Sequence, residues 1–456
     1  MSEKRLALGG LVALAITCVL VLALFLALAA TVSGQSDRYV DNSGGGCGGH
    51  PLCYTTIVTA VEAAEGGDTI YVYPGGYTET VNLGNMASEG NITLITVDAA
   101  GDPSPGTAYG VQFKTPGVSN PFEGSITIDG FRTDPSATHG INLTYVTGDV
   151  EIANVTASGH TGYNILVYEV TGDVTVENTT ANGSWGTVPA GLFVSDVTGQ
   201  TTVADCTFDD NDGYGMNLSD LSGETYIRNC SVSGTTGGGS SPYGSGIAVN
   251  MVGADVVITG SVIGGNSAYG VWYGSVTVGG LSTLLNGNII CDNTLAGAYT
   301  AVAGRHLDAT GNWWGCAGGP SADGCDIIAG LGTVTENPWI NTISAGATPD
   351  PVLVGQPTVV RFQFSDSGKT VFLGQGPGDR RSPPFTVTTD NGTLNGVGPS
   401  VQAGINEPNG ILAVTLVPDQ DGTATVTLEG PCNLGRSIQV QVEPYRLYVP
   451  LVMRNY

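Results

Sequence analysis

Acidic side chains are concentrated in one short segment of the sequence. Asp209, Asp210 and Asp212 lie within four residues of one another, and Asn211 stands between them. Carboxylate and amide oxygens are the ligands that Ca²⁺ prefers in proteins, so the segment is a candidate calcium site. The alternative is an acidic turn exposed to water, where charged side chains are usually found. Calcium is the one cofactor that the sequence suggests.

Paired carboxylates also serve glycoside hydrolases, and a polysaccharide lyase needs a basic side chain close to calcium-binding carboxylates. Arg228 is one of the few basic residues in this part of the chain, and the pattern places no second base beside it. His139 and His160 have no Ser or Cys partner at a spacing typical of a catalytic triad. We therefore predict no catalytic residue, and a polysaccharide lyase or glycoside hydrolase stays the alternative.

The elements that must position these residues are short strands that recur along the chain. Six alternating apolar stretches each follow a turn residue, and their starts are spaced by 24, 27, 24, 31 and 24 residues. Alternation with period two is typical of strands, and no segment of helix length separates the repeats. The repeat predicts a parallel β-helix, whose coils stack so that equivalent residues lie ~4.8 Å apart. The six stretches begin at Ile141, Ile165, Leu192, Met216, Ile247 and Val271.

Two further columns share this period. One continues the apolar interior along a second strand and contains Val150, Val174, Thr201, Thr225 and Val256. The other is polar and is predicted to lie at a turn, with side chains that hydrogen-bond from coil to coil; it contains Asn154, Asn178, Asp205 and Asn229.

The same alternation identifies the outward-facing side of the first strand. Several residues on that side are aromatic: Tyr163, Tyr168, Phe193, Tyr214, Tyr269 and Trp272. Aromatic rings over adjacent coils, with Asn142 and Asn217 among them, can stack on sugar rings while the amides bind hydroxyl groups. We predict that this face binds carbohydrate. The alternative is that the 235–243 loop or the C-terminal domain folds over it.

Two motifs extend the pattern to its ends. Residues 55–79, TTIVTAVEAAEGGDTIYVYPGGYTE, predict a short helical cap over 55–65 and then a first strand, and GNWWG at 311–315 is followed by GGP. With the coils between them, residues 38–340 resemble bacterial proteins of the pectin-lyase-like superfamily, which are right-handed parallel β-helices. The resemblance implies this fold, and because the superfamily includes pectate lyases and polygalacturonases, it makes polysaccharide cleavage an activity to test for. The Gly-His-Gly and Arg-x-Lys elements of its polygalacturonases are missing here.

Residues 345–443 have a different pattern, in which alternating strands are separated by prolines. Strands are predicted over 352–360, 385–389, 411–417 and 424–428. The stretch GILAVTLVPDQDGTATVTLEG is similar to bacterial immunoglobulin-like domains of the invasin type, which implies a β-sandwich that serves as a spacer. Residues 444–456 form an apolar tail, either a final strand or an export or sorting signal.

The N-terminal residues are predicted to direct export. Lys4 and Arg5 precede an apolar run that extends to Ala30, as in a signal peptide, although an uncleaved membrane anchor stays open. The chain has 40 acidic residues against 14 basic ones, which argues against nucleic acid as a partner. We expect a bacterial protein that is secreted or held at the cell surface, and that touches a membrane only through residues 1–36.

Cysteine spacing fits an oxidising compartment. Cys47 with Cys53, and Cys316 with Cys325, are each close enough in sequence to close a small disulfide loop. Cys206 and Cys230 share one column of adjacent coils, either as a disulfide or as a pair of buried thiols, and the pairing of Cys291 and Cys432 is left open.

The predicted organisation is a targeting segment over 1–36, an all-β right-handed parallel β-helix with its cap over 37–344, an immunoglobulin-like β-sandwich over 345–443 and the tail over 444–456. The predicted function is non-catalytic binding of an extracellular polysaccharide, or adhesion to another surface molecule. A structural component of the cell envelope is a further alternative.

Overall fold

The computed structural model describes residues 35–444, except 45, 188, 238–241, 276–281, 304–305, 321, 367–368, 371–384 and 408–409. Almost all of the predicted targeting segment and of the predicted tail therefore lies outside the described residues. Among the residues described, no helix is both long and apolar enough to cross a membrane.

Sheet 1 is the longest sheet and contains 13 parallel strands. Its strands, numbered along the chain, are β1 (Asp37–Val40), β2 (Cys53–Tyr54), β3 (Thr69–Val72), β5 (Ile92–Thr96), β7 (Ile126–Asp129), β10 (Val150–Ala153), β12 (Val174–Glu177), β14 (Thr201–Ala204), β16 (Thr225–Arg228), β19 (Val256–Thr259), β22 (Ser282–Asn286), β25 (His306–Asp308) and β27 (Thr333–Thr335). Apart from β2, which lies beside β1 at one edge, they follow one another in sequence order, so each new coil stacks on the preceding one.

Sheet 2 runs along a second side of the same coils and contains 11 strands, again parallel. It consists of β4 (Gly75–Asn82), β6 (Ala108–Lys114), β8 (Arg132–Thr133), β9 (Ile141–Val146), β11 (Ile165–Val170), β13 (Ala190–Val197), β15 (Tyr214–Leu221), β18 (Ser245–Asn250), β21 (Tyr269–Tyr273), β24 (Ala296–Thr300) and β26 (Ile328–Gly330). The third side is sheet 3, with β17 (Ser231–Ser233), β20 (Val262–Gly264) and β23 (Ile289–Cys291). The three sides make a β-helix of about nine turns.

The inward columns predicted from the repeat are confirmed. Ile141, Ile165 and Leu192 are paired in register on sheet 2, and the column continues through Met216 to Val271 with every member buried. The sheet 1 column from Val150 to Val256 is also in register. Stacked aliphatic side chains therefore form one continuous core through the β-helix.

The predicted polar column lies at the turn after the sheet 1 strand. Asn154, Asn178, Asp205 and Asn229 all have left-handed backbone conformations, with φ between 47° and 56°, which Asn and Asp adopt more readily than other side chains. Side-chain bonds cross from coil to coil, because the Asn154 amide donates to Asp129 at 2.7 Å and the Asn229 amide donates to Asp205 at 3.4 Å. The predicted role of this column is confirmed.

A second ladder of polar side chains runs inside the β-helix, and sequence reasoning missed it. Asn164 donates to Asn211 at 3.2 Å, and Asn266 donates to Asn293 at 2.8 Å. Asn293 in turn donates to the Asp326 carboxylate at 2.6 Å, so an acid ends the ladder. The same amides bind backbone groups of the turns, which satisfies polar atoms that water cannot reach.

The N-terminal end is covered as predicted by a short helix. Helix α1 (Ile57–Glu62) begins after Thr56, whose hydroxyl accepts the Thr59 amide hydrogen, and it buries Ile57, Ala60 and Val61. The first strand is β1, which begins earlier than the predicted strand at 69–72 and lies beside it in sheet 1. Short 3₁₀ helices cover Cys47–Gly49 and Leu83–Asn85.

The C-terminal residues form two further sheets of five strands each. Sheet 4 contains β28 (Thr342–Thr348), β30 (Thr358–Asp366), β31 (Lys369–Thr370), β33 (Thr393–Leu394) and β35 (Ile411–Val417). Sheet 5 contains β29 (Val352–Leu353), β32 (Phe385–Thr389), β34 (Ser400–Ala403), β36 (Gly422–Glu429) and β37 (Gly435–Glu443). Apolar residues of both sheets share one buried cluster. The immunoglobulin-like assignment stays a prediction, and the predicted boundary at residue 344 falls inside β28.

Contacts join this C-terminal region to the β-helix. Ile289 and Trp313 of the β-helix belong to the C-terminal cluster, and the Trp313 indole donates to the Cys432 carbonyl at 3.4 Å. A disulfide links Cys291 to Cys432, with 5.9 Å between their Cα atoms. The pairing that the sequence left open is thus a bond between the two regions.

The other cysteines follow the predictions. Disulfides join Cys47 to Cys53 and Cys316 to Cys325. Cys206 and Cys230 are buried free thiols. Of the two alternatives for that pair, the structure therefore has the buried thiols and not the disulfide. Burial is the main cause that raises the pKa of the Cys206 thiol well above its usual value.

Candidate functional site

The outward face of sheet 2 is ordered in columns, because its strands pair in register. One column runs through Asn142, Leu166, Phe193, Asn217, Ala248, Trp272 and Tyr299. A second column lies three residues earlier on each strand; in it Tyr214 pairs with Ala190 and Ser245, and Tyr269 pairs with Ala296. The predicted outward positions are therefore adjacent in space over several coils.

Aromatic side chains on this face meet in a continuous row that we call the aromatic ridge. Its residues are Tyr163, Phe193, Tyr214, Tyr243, Tyr269, Trp272 and Tyr299. Ring centres are 4.7 Å apart for Tyr163 and Phe193, and 4.6 Å apart for Tyr269 and Tyr299. Trp272 packs against both apolar clusters of the ridge and so joins them.

The ridge spans the strands from β11 to β24. At ~4.8 Å between neighbouring strands, five steps make it about 24 Å long. Such a length suits an extended polymer better than a single sugar.

Not every predicted aromatic residue is accessible. Tyr214 is 6 % exposed and Tyr269 is 9 % exposed, so these two rings offer little surface to a ligand. Tyr243 covers Tyr214, with ring centres 5.3 Å apart, and Tyr299 stacks on Tyr269. Tyr243, at the end of the 235–243 segment, thus covers part of the face, as the alternative predicted. Tyr163, Phe193 and Trp272 stay partly exposed.

The Trp272 ring has a defined position. A Cβ atom on Gly274 would collide with the six-membered ring of Trp272, so the indole lies directly over that glycine. A residue without a side chain is therefore what allows the ring to lie along the surface of the sheet. An indole held in this way presents a broad apolar surface, suited to stacking on a sugar.

The hydroxyl groups of Tyr163 and Tyr214 remain protonated at neutral pH. Burial raises the pKa of Tyr163, and it raises the pKa of Tyr214 to about 12. A neutral phenol both donates and accepts hydrogen bonds, so each one matches a sugar hydroxyl without adding charge.

A groove borders the ridge on the side where the sheet 2 strands begin. It has a volume of about 410 Å³ and is lined by Gly186, Pro189, Asp212, Gly213, Thr236, Gly237 and Tyr243. Two longer coils supply its walls, through the insertions after Ser184 and after Thr235 that produce the 27- and 31-residue spacings. The Asp212 carboxylate is held at the wall of this groove by Thr236, whose hydroxyl donates a hydrogen bond to it at 2.8 Å.

A second groove borders the ridge on the side where the strands end. It has a volume of about 310 Å³ and is lined by Pro121, Tyr145, Val146, Thr147, Glu169, Val170, Thr171, Asp196 and Thr198. Tyr168, which we predicted to belong to the sugar-binding face, lies near this groove and contacts Tyr145 edge-on with ring centres 5.8 Å apart. A hydrogen bond with Glu169, followed by burial, raises the pKa of Tyr168 to about 12.

Acidic residues mark the corner at which the sheet 2 strands end. Glu169, Asp196 and Asp220 lie on neighbouring strands and have left-handed backbone conformations, with φ of 52°, 56° and 53°. Hydroxyl groups of the outward face hold two of them, since Ser195 donates to Asp196 at 3.2 Å and Ser219 donates to Asp220 at 2.7 Å. The carboxylates are thereby tied to the edge of the face that carries the ridge.

The predicted calcium residues do not converge. Asp209 accepts hydrogen bonds from Ser231 and from the backbone and hydroxyl of Ser233, whereas Asp212 binds Thr236. Within the described part of the chain, no three His, Cys, Asp or Glu side chains are grouped so that they could hold a metal ion. Calcium at Asp209, Asp210 and Asp212 therefore stays a prediction without geometric support.

The candidate acid–base residues have structural partners. His160 is fully buried, its Nδ1 donates to the Ala137 carbonyl at 3.2 Å, and its Nε2 accepts from the Thr133 hydroxyl at 2.7 Å. His139 stacks on Tyr163 and accepts its backbone N–H at 3.1 Å. Burial lowers the pKa of both imidazoles, so both are neutral at pH 7.

Arg228 is remote from the ridge. It lies on sheet 1, paired with Ala204 and Thr259, and it belongs to neither of the ion pairs found among the described residues. Arg228 is therefore not brought together with the carboxylates that border the ridge.

Two residues of the ridge were not predicted from the sequence. Tyr243 lies in an inserted loop, where the 24-residue period assigns no position, and only its three-dimensional contact with Tyr214 reveals it. Tyr299 occupies the column of Trp272 one coil later, and extending the repeat past Val271 would have identified it.

Comparison with known proteins agrees with the architecture. The family model described as a right handed beta helix region matches residues 106–250 and 140–314. No curated protein matches the chain. Together with the parallel register of sheets 1 to 3, the family match establishes that this part of the chain is a right-handed parallel β-helix.

Among solved structures, the chain is similar to pectate lyase Pel9A, with 16 % identity and a TM-score of 0.36 over 68 % of this chain and 80 % of that one. It is also similar to the A-module of the Azotobacter vinelandii mannuronan C-5 epimerase AlgE4, with 14 % identity and a TM-score of 0.33 over 62 % and 89 % of the two chains. A complex of XylC with xylose matches with 9 % identity and a TM-score of 0.34 over 89 % and 100 %. These similarities are too distant to bear on activity.

Proposed function

We propose that this chain is a secreted or surface-displayed bacterial protein that binds an extended extracellular polysaccharide along the aromatic ridge and does not cleave it. The observation that carries the proposal is the ridge itself, a row of aromatic rings on the outer face of sheet 2. An apolar row of this length at a water-exposed face needs a partner. Disulfides in both regions of the chain favour an extracellular location.

Partner chemistry follows from the groups on this face. Phe193 and Trp272 offer apolar surfaces, and Asn217 in the same column offers an amide donor and acceptor. Sugars combine an apolar ring face with hydroxyl groups around it, so a polysaccharide matches both parts. The C-terminal region, joined by the Cys291–Cys432 disulfide, is proposed to act as a spacer.

Binding to a panel of soluble polysaccharides, measured by titration calorimetry, tests this function. We expect Trp272→Ala to weaken binding about tenfold, which corresponds to about 1.4 kcal/mol. Gly274→Ala keeps the tryptophan but displaces its ring, so a similar loss is expected with a shifted tryptophan emission. An affinity unchanged from that of the parent protein in both variants would contradict the proposal.

Tyr226→Ala is the matched control. Tyr226 is an outward-facing aromatic residue on sheet 1, where its hydroxyl donates to Glu224 at 2.7 Å, so its loss should leave affinity unchanged. Thermal unfolding of all variants separates lost binding from lost folding.

Cleavage is tested on the same samples by release of reducing ends and of unsaturated products. Their appearance, with loss in Asp209→Ala or Arg228→Ala, would favour the lyase or hydrolase alternative over binding alone. A ridge that becomes protected only when copies of the chain associate would favour the envelope-component alternative.

A further inference from the structure

We propose that the ridge selects uncharged polysaccharides and rejects polyanionic ones, and that Glu169, Asp196 and Asp220 are the residues that determine this specificity. The inference rests on the proposed function, since it assigns a substrate class to the same site. It goes beyond that function because a stacking surface alone does not distinguish a neutral sugar from a uronate.

Charge in the coils that carry the ridge, from β11 to β24, is almost entirely negative. The nearest basic side chain in the register of this face is Lys114 of β6, which pairs with Asn142 and lies two strands before the ridge begins. Between residues 133 and 304 the sequence contains 15 acidic residues and a single basic one, Arg228. Arg228 lies on sheet 1, away from the ridge. A chain of carboxylates or sulfates laid along the ridge would therefore meet negative charge and no counter-charge from these coils.

The three carboxylates are placed along the path of a bound polymer. Glu169, Asp196 and Asp220 lie at the same corner of consecutive coils, so they follow one another at the strand spacing of ~4.8 Å, parallel to the ridge. An extended polysaccharide on the ridge would pass all three acids. Glu169 and Asp196 also line the groove at this border.

Their position is fixed, and their charge is not neutralised by an ion pair. Ser195 and Ser219, which hold Asp196 and Asp220, belong to the outward face beside the ridge. The ion pairs among the described residues are Arg38–Asp68 and Arg361–Glu407, and neither includes these acids. Asp212 adds a further carboxylate at the opposite border of the ridge.

Hydrogen-bonding capacity for uncharged sugars is present at the same positions. Asn217 and Asn250 lie on β15 and β18 of the same face, and the phenols of Tyr163 and Tyr214 are neutral at pH 7. Carboxylates accept hydrogen bonds from sugar hydroxyls as readily as amides do. The same acids can thus hold a neutral chain while repelling an anionic one.

Two matched pairs of polymers test the specificity with the full chain. One is homogalacturonan in its methyl-esterified and de-esterified forms, and the other is hydroxyethylcellulose against carboxymethylcellulose. Within each pair the backbone is the same and only one member is anionic. We expect the uncharged member to bind at least tenfold more tightly at about 0.01 M salt, where the Debye length is about 30 Å, and the ratio to fall at about 0.15 M.

A triple variant, Glu169→Gln, Asp196→Asn and Asp220→Asn, should bring the two affinities of a pair within about threefold of one another, a difference of about 0.7 kcal/mol. Asn and Gln keep the side-chain shape, and Asn tolerates the left-handed backbone at these corners. Binding of the uncharged polymer should remain.

Removal of equal charge elsewhere is the control. Glu151→Gln, Glu177→Gln and Glu224→Gln neutralise three acids of the sheet 1 side, and this variant should discriminate as the unchanged protein does. Loss of discrimination in the control, or its persistence in the first triple variant, would overturn the assignment to the corner acids.

The outcomes separate the two proposals. Equal or tighter binding of the anionic member overturns the specificity and leaves polysaccharide binding standing. Failure of both members of both pairs to bind counts against polysaccharide binding itself, and the specificity falls with it.

Discussion

The acid that ends the buried asparagine ladder gives a sharp prediction about stability. Asp326 is 7 % exposed, and its carboxylate accepts from the Asn293 backbone N–H at 3.1 Å and from the Asn293 amide at 2.6 Å. Burial raises the pKa of Asp326 from 3.8 to about 6, and the bonds from Asn293 oppose that rise only in part. Asn266 and Asn293 occupy the preceding positions of the ladder, so Asp326→Asn replaces the acid with the residue type that the ladder already uses.

The sign of the effect follows from proton binding. Between pH 3.8 and about 6 the folded chain holds a proton on Asp326 that the unfolded chain has lost, so stability falls as the pH rises. The full contribution is present below pH 3.8 and is lost above about pH 6. At 1.36 kcal/mol per pKa unit the loss is about 3 kcal/mol.

Denaturant unfolding of the protein and of Asp326→Asn between pH 4 and pH 8 measures this difference. We expect the variant to be more stable at pH 7 by up to about 3 kcal/mol, and the advantage to vanish near pH 4. Asp292→Asn is the control, because Asp292 is an exposed neighbour whose negative charge is a minor contributor to the raised pKa. The same pH dependence in the protein and in Asp326→Asn would refute the assignment.

Three further predictions concern other buried contacts. Cys432→Ser opens the loop of 141 residues closed by the bond to Cys291, so we expect a loss of about 2–5 kcal/mol in denaturant unfolding; an unchanged midpoint would contradict this. Asn266→Leu leaves the Thr235 N–H and the Val232 carbonyl unpaired, and should lower the free energy of unfolding by about 3 kcal/mol, whereas retained stability would show that other groups satisfy them. Burial opposes ionisation of Asp68, but hydrogen bonds from the Glu65 and Ser36 backbone amides and from Arg38 outweigh it and lower the pKa of Asp68. The stability that these bonds provide is present above pH 3.8 and should be lost as the pH falls below that value. Asp68→Asn should remove this acid sensitivity in thermal unfolding.

Much of the β-helix could be predicted because a stacked coil repeats its physical constraints. Every coil must place apolar residues inward at the same two strands, so the columns of Ile141 and Val150 are visible as a period. The left-handed turn after each sheet 1 strand favours Asn or Asp, which made the column of Asn154 visible as well. The strand predicted over 411–417 was likewise found with its bounds unchanged.

Contacts made by residues outside the period could not be predicted. The sequence alone predicts only that Asn266 and Asn293 lie in turns. It does not show that their side chains point inward and hydrogen-bond to each other, because that depends on how neighbouring coils stack. Accessibility of the aromatic face depends on Tyr243, which follows an insertion of irregular length. The link from Cys291 to Cys432 joins regions with unrelated patterns, so spacing carries no information about it.

The two inserted loops that wall the first groove have a consequence for how binding can change. Both insertions leave the strands on either side in register, since Ile165 pairs with Leu192 and Met216 pairs with Ile247. Residues added at that corner therefore lie outside the stacked interior, as Tyr243 does where it packs on Tyr214. Grafting loops of other lengths or sequences after Ser184 or Thr235 should re-specify ligand choice at little cost in folding, which makes this corner the natural place for divergence and for engineering.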